Sequence, residues 1–337
     1  MNTLILDANN LLYRTFWVNK QHINDDDATS LMFIRAVKSY CEKFNPDRTY
    51  AVWDKKLTYP STNFRKNMSS GAYKSNRDNT VVKEAHKNDD SLKELLEHLG
   101  IKSLYPNVME ADDVIAYLCH NLTGKKYVVT VDKDLYQLIN DETYIYNPIQ
   151  KITVTPDNFT TYTKGVELTW FLDYKALVGD NSDNIKGLHK VGHKRAITLI
   201  EKFKKAEAAE VLNEHQYQIY KGNKDMMDLS MGYSFYEEEV PTYQKQLEEG
   251  MPEKNMDAFF EKCKELNLNS IVNQKDKWRT TFNFNESLVA TINKLNTSIS
   301  ITTLIICKWC DLYRLQVQSL GNKSIHVSIN LNGMANS

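Results

Sequence analysis

Acidic residues gather in five short motifs: Asp7, Asp54, Glu110-Ala111-Asp112-Asp113, Asp132-Lys133-Asp134 and Asp180-Asn181-Ser182-Asp183. If these nine carboxylates converge, they raise one another's pKa and repel, so they either bind protons or are held ionised by cations. Oxygen donors with no accompanying set of His or Cys suit Mg²⁺ or Mn²⁺ rather than zinc. Two such ions about 4 Å apart clamp a phosphodiester, lower the pKa of an attacking water and neutralise charge on the leaving 3′ oxygen. The chemistry this pattern points to is hydrolysis of nucleic acid. Taken singly, each motif has a plainer reading. Acids in a first helical turn complement the macrodipole, and an Asp after a strand is often a turn or N-cap residue. Those readings leave unexplained why strand ends and helix starts alike carry acids.

The elements that must position these groups are visible as patterns. Three β-rich runs lead into acids: Thr3–Leu6 before Asp7, Thr49–Trp53 before Asp54, and Tyr127–Val131 before Asp132. Helical spacing covers Thr29–Phe44, Ser91–Leu99 and Glu110–Asn121, and the alternation predicts an α/β class with βαβ units around a parallel sheet. Open sheets bind ligands at the carboxyl ends of their strands, so three acids would share one rim. Glu110 and Asp113 point the same way on a helix, and Asp180 and Asp183 do so too if helical. Further on, Val166–Val178 reads as a helix, followed by a pair of short helices around Gly192. Residues 205–285 read as more helices, and the acid-poor stretch 287–337 receives no assignment. Its Cys307 and Cys310 have no second ligand pair nearby and read as incidental.

Charge is balanced over the chain, 42 Lys and Arg against 43 Asp and Glu in 337 residues, which excludes coating of a polyanion by bulk charge. Local fields exist nonetheless. Between Lys55 and Arg77 lie six basic residues (Lys55, Lys56, Arg65, Lys66, Lys74, Arg77) and no acid, within a polar segment too long for an ordinary connection. Lys74 and Arg77 project together if helical, and Tyr73 beside them could stack on a base. From Lys186 to Lys205 seven bases face one Glu, around a turn at Gly192 that looks like a helix-hairpin-helix, whose amides contact a DNA backbone without reading bases. Five cysteines form no disulfide framework, the N-terminus lacks a secretory apolar run, and no stretch approaches 18 apolar residues; a cytosolic, non-membrane protein is expected.

With their order and spacing, the motifs LILDANNLLYR, AVWD, YKSNR, MEADDVIAYL, VVTVDKDLYQLI and LVGDNSDNIKGLHKVGHKRA resemble the 5′ nucleases, meaning bacteriophage flap endonucleases and the 5′-3′ exonuclease domain of bacterial DNA polymerase I. The resemblance covers residues 2–205 and implies a PIN-like nuclease domain over 1–160 with an arch or gateway insertion at 55–90. It implies a helical region over 161–285 with a helix-hairpin-helix at 184–205, and leaves 286–337 as an unassigned tail. It assigns one metal to Asp7, Asp54, Glu110 and Asp112, a second to Asp132, Asp134, Asp180 and Asp183, and places Asp113 near both. Lys74 and Arg77 become electrophiles on the scissile phosphate, and Arg14, Tyr73, Lys186, Lys190, Gly192, Lys194 and Arg195 become DNA contacts. The implied cofactors are two or more Mg²⁺, with Mn²⁺ as substitute, and K⁺ at the hairpin. Implied substrates are DNA 5′ flaps, nicks and ends, with RNA–DNA hybrids among them, cut to 5′-phosphate and 3′-hydroxyl products. A monomer in a bacterial or phage-infected cytoplasm, partnered by a replication polymerase or single-strand-binding protein, completes the expectation. One departure stands out: the family's Gly-hydrophobic-Gly turn reads Lys190-Val191-Gly192 here, and a Lys at positive φ is disfavoured, so an altered turn is expected.

Two other readings compete. A PIN-type ribonuclease carries a smaller acid cluster on a similar sheet but normally lacks the hairpin and the long basic insertion. A non-catalytic junction-binding protein would have no use for nine acids that repel phosphate. Nucleotide enzymes are disfavoured because neither G-x-G-x-x-G nor G-x-x-x-x-G-K-[ST] occurs.

Overall fold

In a computed structural model of the chain, the described residues are 1–22, 28–54, 63–75, 84–106, 109–235, 237–282, 315–320 and 324–329. They divide into two compact units, Met1–Lys275 and Asp276–Ser337. The first unit opens with β1 (Asn2–Asp7), α1 (Ala8–His22), α2 (Ala28–Phe44), β2 (Arg48–Val52), α3 (Phe64–Met68), α4 (Asp89–His98), β3 (Lys102–Leu104), α5 (Ala111–Asn121), β4 (Lys125–Val129), β5 (Thr143–Asn147) and β6 (Ile152–Val154). These strands form one sheet in the order β3-β2-β1-β4-β5-β6, parallel throughout except for the antiparallel β5–β6 pair. The mostly parallel central sheet expected from the alternation is present.

β1 sits at the centre because its sequence suits burial on both faces: Leu4, Ile5 and Leu6 have no exposed surface. The chain builds outward from β1 to β2 and β3, then returns to pair β4 against the other edge of β1. That reversal makes a crevice at the carboxyl ends of β1 and β4. α5 covers the sheet with Val114, Ile115, Ala116 and Leu118 fully buried, so its N-terminus is held firmly at the same end.

The rest of this part is largely helical: α6 (Pro156–Tyr162), α7 (Phe171–Val178), α8 (His193–Phe203), α9 (Ala208–Val211), α10 (Glu214–Met227), α11 (Leu229–Phe235), α12 (Val240–Glu248), α13 (Met256–Glu265) and α14 (Asn269–Val272); α15 (Lys275–Phe282) begins at the last residue of the first unit and belongs otherwise to the second. Two expectations need correction here. The helix over Val166–Val178 is confined to α7 with a single 3-10 turn, Leu168–Trp170, before it. No second short helix precedes Gly192; α7 instead gives way to a two-residue ribbon, β7 (Gly179–Asp180) antiparallel to β8 (Ile185–Lys186), and then a turn into α8. Gly179 makes this possible, at φ +80°, ending α7 where an L side chain would be strained. The turn itself keeps a left-handed residue despite its unusual sequence, with Lys190 at φ 61°. Gly192, at φ −103°, is the N-cap of α8 and needs no glycine freedom. In the second unit, where the sequence offered no assignment, β9 (Leu315–Leu320) and β10 (Ser324–Ile329) pair as an antiparallel hairpin. Cys307 and Cys310 lie outside the described residues. Among the described residues no helix is long and apolar enough to cross a membrane.

The ribbon that carries Asp180 depends on close backbone approach. A Cβ added at Gly187 would stand 2.1 Å from the carbonyl oxygen of Val178. Gly187→Ala should therefore force α7 and the ribbon apart, costing about 2 kcal/mol or more in urea unfolding; an unchanged midpoint would show that the approach is not a constraint.

Candidate functional site

Asp7 terminates β1, Asp54 follows β2 by two residues, and Asp132 follows β4 by three, so three neighbouring strands deliver carboxylates to one rim. Asp7 is 4% exposed and accepts hydrogen bonds from the Thr130 hydroxyl at 2.6 Å and the Asn10 amide at 3.4 Å. Asp54 Oδ1 accepts from the Ala111 amide at 2.9 Å, which ties β2's end to the first residue of α5. The Asp54 amide donates to Asn9 Oδ1 at 2.9 Å, and Asn9 Nδ2 lies 3.3 Å from His86 Nε2, whose Nδ1 is 2.9 Å from Asp89. Asp132 Oδ1 accepts from the Asp134 amide at 2.8 Å.

Electrostatics shows how crowded the rim is. The Asp7 carboxyl is pushed up from 3.8 to about 7, first by burial and then by Asp132 and Asp54, against the pull of the Thr130 hydrogen bond. Asp112 is raised well above its ordinary value by burial, Asp132 and Asp7. Asp132 is raised by burial and by Asp183, and Asp134 is pushed to about 7 by burial and Asp132 despite Lys175 beside it. Acids from distant parts of the chain therefore feel one another directly, as the motifs suggested.

Positive side chains relieve part of this strain. Lys74 Nζ lies 3.0 Å from Glu110 Oε2 and 4.0 Å from Asp183 Oδ2. Glu110, which also accepts from Tyr73 Oη at 2.9 Å and Asn63 Nδ2 at 3.1 Å, is held at about 2 because Lys74 and Arg65 outweigh its burial. Lys175 bridges Asp134, at 2.7 Å, and Asp180. Burial alone would discharge Lys175, but those two carboxylates keep it ionised, and Asp180 is correspondingly lowered despite its own burial.

Arg65 goes deeper. Only 2% exposed, it donates twice to Asp113, Nη1 to Oδ2 at 2.8 Å and Nη2 to Oδ1 at 2.6 Å. Its Nε donates to the Met226 carbonyl at 2.9 Å, joining the insertion, α5 and α10. Gly232 of α11 roofs the pair: a Cβ there would be 1.8 Å from Asp113 Oδ1. Asp113 also accepts from the Glu110 amide at 3.1 Å, so both its oxygens are committed inside the fold.

The structure thus brings Asp7, Asp54, Glu110, Asp112, Asp132, Asp134, Asp180 and Asp183 into one cluster, and sets Asp113 behind it in an ion pair. Several expectations are corrected. Tyr73 offers no face to a base; its ring is 4% exposed among Ile185, Met226 and Met227, because burying an aromatic there also supplies Glu110 with a hydroxyl donor. The segment at Lys74 is a turn with Lys74 at φ 53°, not a helix, and its amide donates to the Asp183 carbonyl at 2.9 Å. Asp180 ends β7 and Asp183 lies in the β7–β8 turn, so the two do not share a helix face. Arg77, Lys55 and Lys56 lie outside the described residues. Arg14 is half-buried on α1, while Lys186, Lys190, Gly192, Lys194 and Arg195 are exposed around the turn into α8.

Sequence reasoning counted Arg65 only in the basic field of the insertion, where it turns inward to Asp113, and gave no role to Lys175, Asn9 or Thr130. Lys175 carried a signal, a lone base inside the apolar run of α7, since lysine is rarely buried without a partner. Among the described residues no three His, Cys, Asp or Glu side chains already close on one point as a finished metal cage would; ammonium groups stand between the carboxylates instead. The donor set still fits hard divalent cations, being all oxygen and under mutual repulsion. Removing Arg65 leaves a buried carboxylate bare, so Arg65→Ala should lower stability by about 3–5 kcal/mol, and Arg65→Met with Asp113→Leu should recover most of it; a loss below about 1 kcal/mol in chemical denaturation would deny the pair this role.

Comparison with known proteins agrees with this geometry. Residues 2–164 match the 5′-3′ exonuclease N-terminal resolvase-like domain, and residues 166–235 match the 5′-3′ exonuclease C-terminal SAM fold. The 5′-3′ exonuclease of Buchnera aphidicola is 30% identical over 59% of this chain and 70% of its own length. The thermostable DNA polymerase I of Thermus aquaticus is 32% identical over 61% of this chain but only 24% of the polymerase. In fold, the chain is similar to the T5 D15 protein co-crystallised with metal ions, at a TM-score of 0.59 and 18% identity, covering 79% of this chain and 98% of that one. Two adjoining domain matches and a relative at this identity and coverage lead to one conclusion, that the chain belongs to the 5′-3′ exonuclease family.

Proposed function

We propose that the chain is a structure-specific 5′ nuclease that hydrolyses DNA at 5′ flaps, nicks and ends, leaving 5′-phosphate and 3′-hydroxyl products, and that accepts RNA primers paired to DNA. The observation that carries this reading is the cluster of eight carboxylates at the β1–β4 crevice, in which Asp7, Asp54, Asp112, Asp132, Asp134, Asp180 and Asp183 repel one another. Asp7, Asp54, Glu110 and Asp112 would hold one divalent cation, and Asp132, Asp134, Asp180 and Asp183 a second. When bound, these ions supply a lowered pKa for an attacking water and positive charge at the leaving oxygen. Mg²⁺ is the proposed ion, with Mn²⁺ as substitute. T5 structures solved with metal ions, with zinc and with DNA support divalent binding and a DNA substrate here. DNA polymerase I relatives support a replication polymerase as partner.

The chain's own residues divide the remaining work. Lys74 is anchored by its backbone to Asp183 and by its ammonium to Glu110, so it stands at the junction of both carboxylate groups. From there it is placed to meet a phosphate oxygen in which negative charge develops. Thr130, Asn9 and the Ala111 amide orient Asp7 and Asp54. The exposed Lys186, Lys190, Lys194 and Arg195 offer phosphate contacts, and the left-handed residue kept at Lys190 supports hairpin-type backbone binding, with K⁺ at the same turn as part of the proposal.

A 5′-flap duplex with Mg²⁺ should be cut near the junction, and EDTA should abolish cutting. Lys74→Ala should slow turnover on the order of 100-fold with little change in DNA affinity, while Asp132→Asn and Asp180→Asn should abolish cleavage and hold or tighten DNA binding. Cleavage unaffected by EDTA, or a preference for single-stranded RNA over every DNA junction, would overturn the reading.

Proton linkage offers an independent check. Asp7 and Asp134 titrate near 7 in the fold against 3.8 ordinarily, so between those values the folded chain holds protons that the unfolded chain has lost. Their contribution to metal-free stability is whole below about pH 4 and lost as pH rises through about 7. Cation binding must expel those protons. Titration with Mg²⁺ near pH 6.5 in buffers of different ionisation enthalpy should show proton release that disappears near pH 9; no buffer dependence at pH 6.5 would contradict the ligand assignment.

A further inference from the structure

The matched family domains end at residue 235, yet residues 237–275 of the same compact unit are built onto the nuclease domain. Lys102 Nζ donates to the Gly250 carbonyl at 2.9 Å, the Asn255 amide donates to the His98 carbonyl at 2.8 Å, and Lys262 pairs with Glu94 at 2.7 Å. One contact in this set reaches the carboxylate cluster. Glu239 is 5% exposed, and its Oε2 accepts from the Met109 amide at 3.1 Å while its Oε1 accepts from Tyr243 Oη. Tyr243 is wholly buried against α5, its ring 6.1 Å from that of Tyr117.

Met109 immediately precedes Glu110. The Glu110 amide is held by Asp113, so two consecutive amides at the entry to α5 are each bound by a carboxylate, one from within the helix and one from a distant segment. A buried carboxylate is costly unless hydrogen bonds satisfy it, and a charged acceptor binds an amide more strongly than a neutral one. The Met109 bond fixes the backbone on which the Glu110 side chain turns. Displacements well under 1 Å decide whether an oxygen reaches an ion.

We propose that Glu239 is a positioning residue for Glu110, so that the segment beyond the family domains forms part of the support of the metal site. This rests on the reading of Glu110 as a cation ligand.

The test is Mn²⁺ binding by calorimetry to the full chain without DNA. Glu239→Leu should weaken binding about tenfold, the scale seen when an outer partner of a ligand is lost. Glu239→Gln, which keeps an oxygen for the Met109 amide, should stay within about threefold. Tyr220→Phe, which removes a hydrogen bond to Asp173 between α10 and α7, should lower the melting temperature without moving Mn²⁺ affinity. Should Glu239→Leu not fold, Glu239→Asp, one methylene too short to reach Met109, carries the same expectation. Equal losses in the Gln and Leu variants, or an Mn²⁺ loss in Tyr220→Phe as large as theirs, would overturn the proposal. Glu110→Gln separates the two claims. If it leaves Mn²⁺ binding intact, the ligand reading fails; if it weakens binding while Glu239→Leu or Glu239→Asp does not, the positioning claim alone fails.

Discussion

Mutual repulsion among carboxylates is the constraint around which this fold is arranged. Strand ends, a helix N-terminus and a two-residue ribbon deliver acids to one crevice, where burial removes the water that would screen them. Such a cluster is stable only with protons or positive charge nearby. Lys74 and Lys175 supply charge between the carboxylates, each shared between two acids from different segments. The strain that remains favours divalent cations, which is what the proposed hydrolysis asks of this crevice, since such ions would offset the negative charge that develops on a phosphodiester.

Arg65 and Asp113 solve a different problem. Their pair lies behind the cluster, closed by Gly232 and joined to the Met226 carbonyl, and it binds the start of the basic insertion to α5 and to the helical part at once. A buried ion pair gives little net stability over an apolar pack, but breaking it is expensive, so it holds three elements in one relation. Lys74 follows Arg65 by nine residues and is fastened to Glu110 and Asp183. Lys74, the proposed phosphate contact, and the acids are thereby positioned by the same local framework. Residues 237–275 extend that framework from outside the family domains, through Glu239 at the amide just before Glu110.

Much of this was legible in the sequence because the relevant signals are local. Alternating β-rich and helical runs marked a parallel sheet, and each acid's place at an element end was readable from its neighbours. Helix spacing placed α5 to within one residue, with Glu110 as its N-cap. The errors fell where a local rule met a tertiary demand. Tyr73 looked like an exposed stacking residue beside two bases, but Glu110 needed a donor and the core at Ile185 needed a ring. Lys190 looked unfit for a left-handed turn, yet it adopts φ 61° on an exposed site just before α8, where its side chain is not forced into the core.

What the sequence by itself determined was the inventory: which residues carry charge, which strands and helices they end or begin, and which family order they follow. Only the tertiary structure decided which charges neutralise which. It withdrew Asp113 from the acid cluster, brought Arg65 and Lys175 inside, and set Glu239 against an amide 130 residues away in sequence. Periodicity is a property of neighbours along the chain, whereas the cost of a buried charge depends on every group within a few ångströms, whatever its number.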